Sequence, residues 1–285
     1  MKTLEEILTI TRSIAWGATD ILRSYYRGDK KQNLEVNYKQ NEPVTVADTA
    51  TNNYILEQLK TALGSEDFGY ISEETYQKQA ANSKEWVWII DPLDGTRDFI
   101  NKTGEYAIHI ALVKDKRPIL AVVAQPETEK LFYAIKGKGS FVETRNVTGD
   151  NSTEALKVST RDSVDDLTLV VSRSHRNEKL NYLLKNLPCK NQKAVGSIGG
   201  KIAAIVEQKA DIYISLSGKS APKDWDLAAP ELILSEAGGT FTHFDGTDLS
   251  YNTGDINQWG GLIASNGNCH QMLREQVEKI LGQLG

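Results

Sequence analysis

At 285 residues, 25% of them charged and 40% hydrophobic, the chain has the makeup of a folded globular protein with one large or two moderate domains. Thirty-three Lys and Arg stand against 38 Asp and Glu, a net charge of −5, so there is no basic face for nucleic acid, although local cations still allow a small anion to bind. No apolar run approaches the ~18 residues of a membrane span, and the acidic, amphipathic residues 1–6 do not read as a signal peptide.

In chain order, Ile7, Leu8, Ile14, Ala18 and Leu22 recur at helical spacing and predict a long amphipathic helix over 4–26. Residues 28–40 are polar with Leu34, Val36 and Tyr38 alternating, which suits a short strand or hairpin between loops. A second helix starts at Thr45, with Asp48 completing a capping box and Ala47, Tyr54, Ile55 and Leu59 on its buried stripe. A short strand at Tyr70-Ile71 delivers Ser72-Glu73-Glu74, and the apolar run 87–90 reads as a buried strand. Asp91 is expected where that strand leaves the core and Pro92 where ladder pairing stops. Residues 106–142 read as an antiparallel meander, with Gly137 and Gly139 supplying turns. The polar stretch 144–153 is the expected boundary between an α+β half (1–153) and an α/β half (154–285). In the second half, strands are predicted at 167–171, 211–216 and 261–264. Helices are predicted at 178–187, 198–207, 226–237 and 270–284, the third ending at Gly238-Gly239. The pattern is that of a layered α/β (α+β) fold. Cys189 and Cys269 fall in no metal or redox spacing, which points to reduced thiols in a cytoplasmic protein.

The chemistry concentrates in Asp91-Pro92-Leu93-Asp94-Gly95-Thr96. Two carboxylates at a strand end repel unless a cation lies between them, and Mg²⁺ commonly sits between carboxylates and a phosphate. Gly95 and Thr96 then present backbone N–H groups to an anion. Glu73 and Asp226 are the further acids at element ends, although each taken singly also fits a helix cap or a solvated loop acid.

These motifs resemble the inositol monophosphatase family of Mg²⁺-dependent, lithium-sensitive phosphomonoesterases. Asp91 to Thr96 match its first metal motif, and Asp224-Trp225-Asp226-Leu227-Ala228-Ala229 through Gly238-Gly239 its second. Ser72-Glu73-Glu74 match its upstream signature with Ser72 in place of glycine, and Pro43 to Asp48 the segment carrying a catalytic aspartate. Pro230 departs from the glycine usual there and is expected in the first turn of its helix. The resemblance implies a layered αβαβα sandwich with its site where the two halves meet. It implies a first Mg²⁺ on Glu73, Asp91 and the Leu93 carbonyl, a second on Asp91, Asp94 and Asp226, and a weaker third using Glu73. It further implies that Asp48 and Thr96 take a proton from the attacking water while the Gly95 and Thr96 N–H groups hold the phosphate.

Val171-Ser172-Arg173-Ser174-His175 and Gly196 to Lys201 are similar to the 3′(2′),5′-bisphosphate nucleotidase branch, which acts on 3′-phosphoadenosine 5′-phosphate, a by-product of sulfate assimilation. Ser174, His175, Ser197 and Lys201 are then the substrate contacts beside Asp226, with Arg173 and Lys201 available as cations for a second phosphate. Arg173 on a surface carboxylate, His175 as a solvated loop residue and Lys201 as a solvated helix lysine are the plainer alternatives. An inositol-1-phosphate phosphatase, a fructose-1,6-bisphosphatase and a non-catalytic regulatory binding protein are the rival readings. The expected partner is a small phosphate ester, for a monomer or homodimer that binds neither nucleic acid nor membrane.

Overall fold

In the computed structural model, which describes residues 2–28, 36–39, 42–64, 66–77, 81–146, 151–173 and 176–283, helix α1 (Leu4–Arg27) opens at a capping box. Thr3 Oγ1 accepts the Glu6 N–H, Glu6 Oε2 accepts the Thr3 N–H, and left-handed Gly28 closes the helix. Strands β1 (Val36–Lys39) and β2 (Glu42–Thr45) form an antiparallel hairpin; Leu34 of the expected alternation lies outside the described residues. Helix α2 (Val46–Leu63) starts from Thr45, whose N–H is accepted by Asp48 at 2.8 Å.

Strands β3 (Phe68–Ser72) and β4 (Trp86–Asp94) pair in parallel, and the one-turn helix α3 (Thr96–Ile100) follows. Strands β5 (Ala107–Lys114), β6 (Arg117–Gln125), β7 (Lys130–Ile135), β8 (Ser140–Arg145) and β9 (Asn151–Leu156) continue as an antiparallel meander, and β3 to β9 form a seven-stranded sheet in sequence order. The chain then passes through β10 (Thr168–Val171), α4 (Glu178–Asn186), β11 (Asn191–Ala194), α5 (Ile198–Val206) and β12 (Ile212–Leu216). It ends with α6 (Asp224–Glu236), β13 (Thr240–His243), β14 (Gly261–Ser265) and α7 (His270–Gly282). The second sheet has the order β11-β10-β12-β14-β13, with β14 antiparallel to both neighbours.

Strand alternation decides the layering. On β5, Ile108, Ile110 and Leu112 pack against α1 and α2, whereas Ala107, Ala111 and Val113 face α5 and α6. Small residues on that inner face let α6 lie close to the sheet. Helices α4 and α7 pack on the outer face of the second sheet through Leu183, Leu273 and Val277. The order is helices, sheet, helices, sheet, helices, a mixed α/β fold.

Three expectations are corrected here. Pro92 does not stop β4: pairing with β5 resumes at Asp94, after a register shift between Asp91 and Asp94, because a bulge accommodates a residue with no N–H to donate. Strand β9 is an exposed edge strand of the first sheet, and the change of sheet comes after Leu156. The α5 and α6 core is moreover shared by both sheets. Helix α6 starts two residues before Asp226, and Pro230 sits in its interior. Short β11 and β13 carry too little apolar alternation to announce themselves.

Candidate active site

The ends of β3, β4 and α6 converge on one group of carboxylates. Asp91 Oδ1 accepts the Leu93 N–H at 2.9 Å and so holds the bulge. Gly95 follows with φ 95°, a left-handed turn that a side chain would strain, and a Cβ there would lie 3.1 Å from the Glu105 carbonyl oxygen. On α6, Asp226 Oδ2 accepts the Lys223 N–H at 2.7 Å. The start of that helix is pinned by buried Asp224, which accepts the Asn252 N–H at 2.9 Å and the Gln258 side-chain N–H at 2.8 Å. Carboxylate oxygens of Asp91, Asp94 and Asp226 lie within 4.8 Å of one another. Glu73, just past β3, donates its N–H to the Ile90 carbonyl at 3.2 Å, and its carboxyl lies within hydrogen-bond reach of Asp91.

Burial, and then the neighbouring carboxylates, push Glu73 and Asp91 well above the ordinary carboxylate range, and Asp226 up to about 6. Burial pushes Asp94 upward too. His109, Lys201 and the Gly199 N–H outweigh it and hold Asp94 below its ordinary value. Acids this close stay ionised together only with a cation among them, and an all-oxygen set suits a hard divalent ion. The residues present therefore fit a metal.

Beside the cluster, Thr96 Oγ1 lies 3.2 Å from Asp48 Oδ1 and 3.2 Å from the Leu93 carbonyl oxygen. Asp48 Oδ2 accepts both the N–H and the hydroxyl of Thr45, at 2.8 and 2.6 Å. Burial raises the Asp48 carboxyl against these bonds.

A cavity of about 520 Å³ brings together Glu73, Asp91, Leu93, Asp94, Gly95, Thr96, Ser197, Lys201 and Asp226. Ser197 caps α5, its Oγ accepting the Gly200 N–H at 2.6 Å. Lys201 is not the solvated helix lysine of the plainer alternative: it is 3% exposed, donates to the Ser197 carbonyl at 2.7 Å, and burial lowers it to about 8. Arg173 is not a free cation. It donates to Glu105 at 2.6 Å and lies 3.8 Å from Asp98; Arg176, Lys219 and Lys223 also line the wall. Ser174 and His175 lie outside the described residues. Sequence reasoning quoted Asp224 within a motif without giving it a role, and passed over His109. The one signal for His109 was an imidazole inside the apolar run of β5.

The sequence pattern of the inositol monophosphatase family matches residues 3–281. The 3′(2′),5′-bisphosphate nucleotidase CysQ of Aggregatibacter actinomycetemcomitans is 32% identical over 244 residues, 84% of this chain and 85% of that one. The CysQ nucleotidase of Salmonella typhimurium is 32% identical over 251 residues, 87% and 93% of the two chains. Among solved structures, CysQ from Bacteroides thetaiotaomicron superposes with a TM-score of 0.74 at 27% identity, covering 91% of this chain and 97% of its own. The Thermotoga maritima IMPase gives 0.79 at 21% identity over 99% and 100%, a likeness of fold. With a fold and a sequence shared over nearly its whole length, the chain belongs to the inositol monophosphatase family and is a phosphatase of that family.

Proposed function

We propose that this chain is a Mg²⁺-dependent 3′(2′),5′-bisphosphate nucleotidase that hydrolyses 3′-phosphoadenosine 5′-phosphate to AMP and phosphate. The observation that carries the reading is the carboxylate cluster of Asp91, Asp94 and Asp226 lying with Thr96 in one cavity. The names of the relatives, aligned over more than four-fifths of the chain, support the substrate.

Glu73, Asp91 and the Leu93 carbonyl would hold one ion, Asp91, Asp94 and Asp226 a second, with Glu73 available to a weaker third. When bound, the metal supplies a lowered pKa for water and neutralises charge on the phosphoryl group. Thr96 and Asp48 take up the proton of the attacking water: the hydroxyl is within reach of Asp48 Oδ1 at 3.2 Å, and a buried carboxylate with a raised pKa accepts a proton readily. Gly95 and Thr96 open α3, where the first N–H groups lack intrahelical acceptors and suit a phosphate oxygen. Ser174, His175, Ser197, Lys201 and Asp226 are the proposed substrate contacts. With Arg173 already paired to Glu105, Arg176 and Lys219 on the cavity wall are better placed for the second phosphate. The protein acts on a small molecule as a monomer or homodimer. A cytoplasmic setting goes with the reading and is supported by two buried free thiols, Cys189 and Cys269.

Phosphate release from 3′-phosphoadenosine 5′-phosphate, inositol-1-phosphate and fructose-1,6-bisphosphate, with Mg²⁺ and with excess chelator, tests it. A kcat/KM for the nucleotide ~100-fold above the others, about 2.7 kcal/mol of discrimination, is expected. Asp94→Asn, which removes a ligand charge and little volume, is expected to abolish most turnover in a folded protein. A preference for either sugar phosphate, or wild-type turnover in that variant, would overturn the reading.

A further inference from the structure

His109 lies midway along β5 with no exposed surface. It is a costly residue to bury unless its nitrogens find partners. Strand alternation sends its side chain to the same face as Ala107 and Ala111, toward α5 and α6. There Nδ1 lies 3.3 Å from the Trp225 carbonyl oxygen. Nε2 lies 3.2 Å from Asp94 Oδ2, off the axis of a linear hydrogen bond.

Gly199 makes the room. A Cβ at that position would lie 2.4 Å from His109 Nε2 and 2.8 Å from Val123 Cγ1. The same turn of α5 supplies the other partners of Asp94, whose Oδ2 accepts the Ile198 N–H at 2.5 Å and the Gly199 N–H at 3.1 Å. Each of these contacts falls on Oδ2, and among the described residues no hydrogen bond falls on Oδ1. Trp225 immediately precedes Asp226 on α6. One imidazole therefore touches both a carboxylate of the cluster and the backbone that carries another.

We infer that His109 is a positioning residue, bracing Asp94 and the start of α6 at the separation at which Asp94 and Asp226 share a divalent ion. The inference rests on the metal-dependent reading above. An apolar side chain of similar volume fills the space but leaves the Trp225 carbonyl without its imidazole partner and Asp94 Oδ2 held by the α5 backbone N–H groups alone. Partners of this kind behind a ligand commonly change metal affinity by roughly 10–100-fold.

The experiment is calorimetric titration of Mn²⁺ into chelator-stripped protein, alongside kcat and KM, for wild type and for His109→Leu, His109→Asn and His109→Gln. Leu keeps the volume without a nitrogen; Asn keeps a donor near Trp225 but does not reach Asp94; Gln reaches Asp94. The expected result is Mn²⁺ binding weakened at least ~10-fold in the Leu and Asn variants, recovery to within about threefold in Gln, and a larger fall in kcat than rise in KM. A purely structural role would lower the melting temperature and leave the Mn²⁺ Kd of the folded protein unmoved. Wild-type Mn²⁺ affinity in His109→Leu, or in His109→Asn should the Leu variant not fold, overturns the inference and leaves the proposed function standing. A wild-type protein that takes up no Mn²⁺ overturns both.

Discussion

Thr96 has one hydroxyl proton and two acceptors at the same 3.2 Å, Asp48 Oδ1 and the Leu93 carbonyl oxygen. In the proposed mechanism the proton points to Asp48 and a lone pair faces the attacking water. Thr96→Ala is expected to lower the single-turnover rate by roughly 10²–10⁴-fold while metal affinity is retained, a range typical of losing a proton-transfer group. Rapid-quench and calorimetric measurements separate the two, and an unchanged single-turnover rate would exclude the assignment. Residues of this kind could be proposed from the sequence because the chemistry demands particular side chains in a particular order. The roles of His109 and Asp224 were not legible. Their roles come from partners far away in the chain, Trp225 for one and Asn252 and Gln258 for the other.

Among the elements, Ser72 accounts for a departure from the family motif. Its hydroxyl donates to Asn52 Oδ1 at 2.6 Å, and both residues are 1% exposed. The bond ties the end of β3, which delivers Glu73, to α2 one turn beyond Asp48. Ser72→Ala would strand the Asn52 oxygen. The expected cost is about 1–2 kcal/mol, or a fall of about 2–6 °C in melting temperature, and urea unfolding measures it; an unchanged midpoint would show that the bond contributes nothing. Long helices were readable from periodicity and caps, as α1 shows with its apolar spacing and α2 with its Thr45–Asp48 box. The bulge in β4 was not, because Pro92 reads locally as a stop and only pairing with β5 shows the ladder resuming at Asp94.

Over the whole molecule, the buried carboxylates make stability depend on pH and metal together. Burial is the first cause that raises Asp226 to about 6 and Asp224 and Glu231 to about 7. A folded state that keeps protons its unfolded chain has released loses stability as pH rises through that range. The metal-free protein is therefore expected to melt higher at about pH 5.5 than at about pH 7.5. At the higher pH, Mg²⁺ at 100 times its Kd should restore ~2.7 kcal/mol. Thermal melts in chelator and in Mg²⁺ check this, and a melting temperature that rises with pH in chelator would contradict it.

The sequence by itself determined the long helices and the meander, the acidic motifs and the family, because periodicity, caps and ligand types are written in residues close together in the chain. Only the tertiary structure decided that both sheets share the α5 and α6 core, that Arg173 is already neutralised by Glu105, and that an imidazole from β5 stands behind Asp94. Each of these depends on which faces are pressed together in space, 68 residues apart in the chain for Arg173 and Glu105, and burial and Coulomb interaction act through space rather than along the chain.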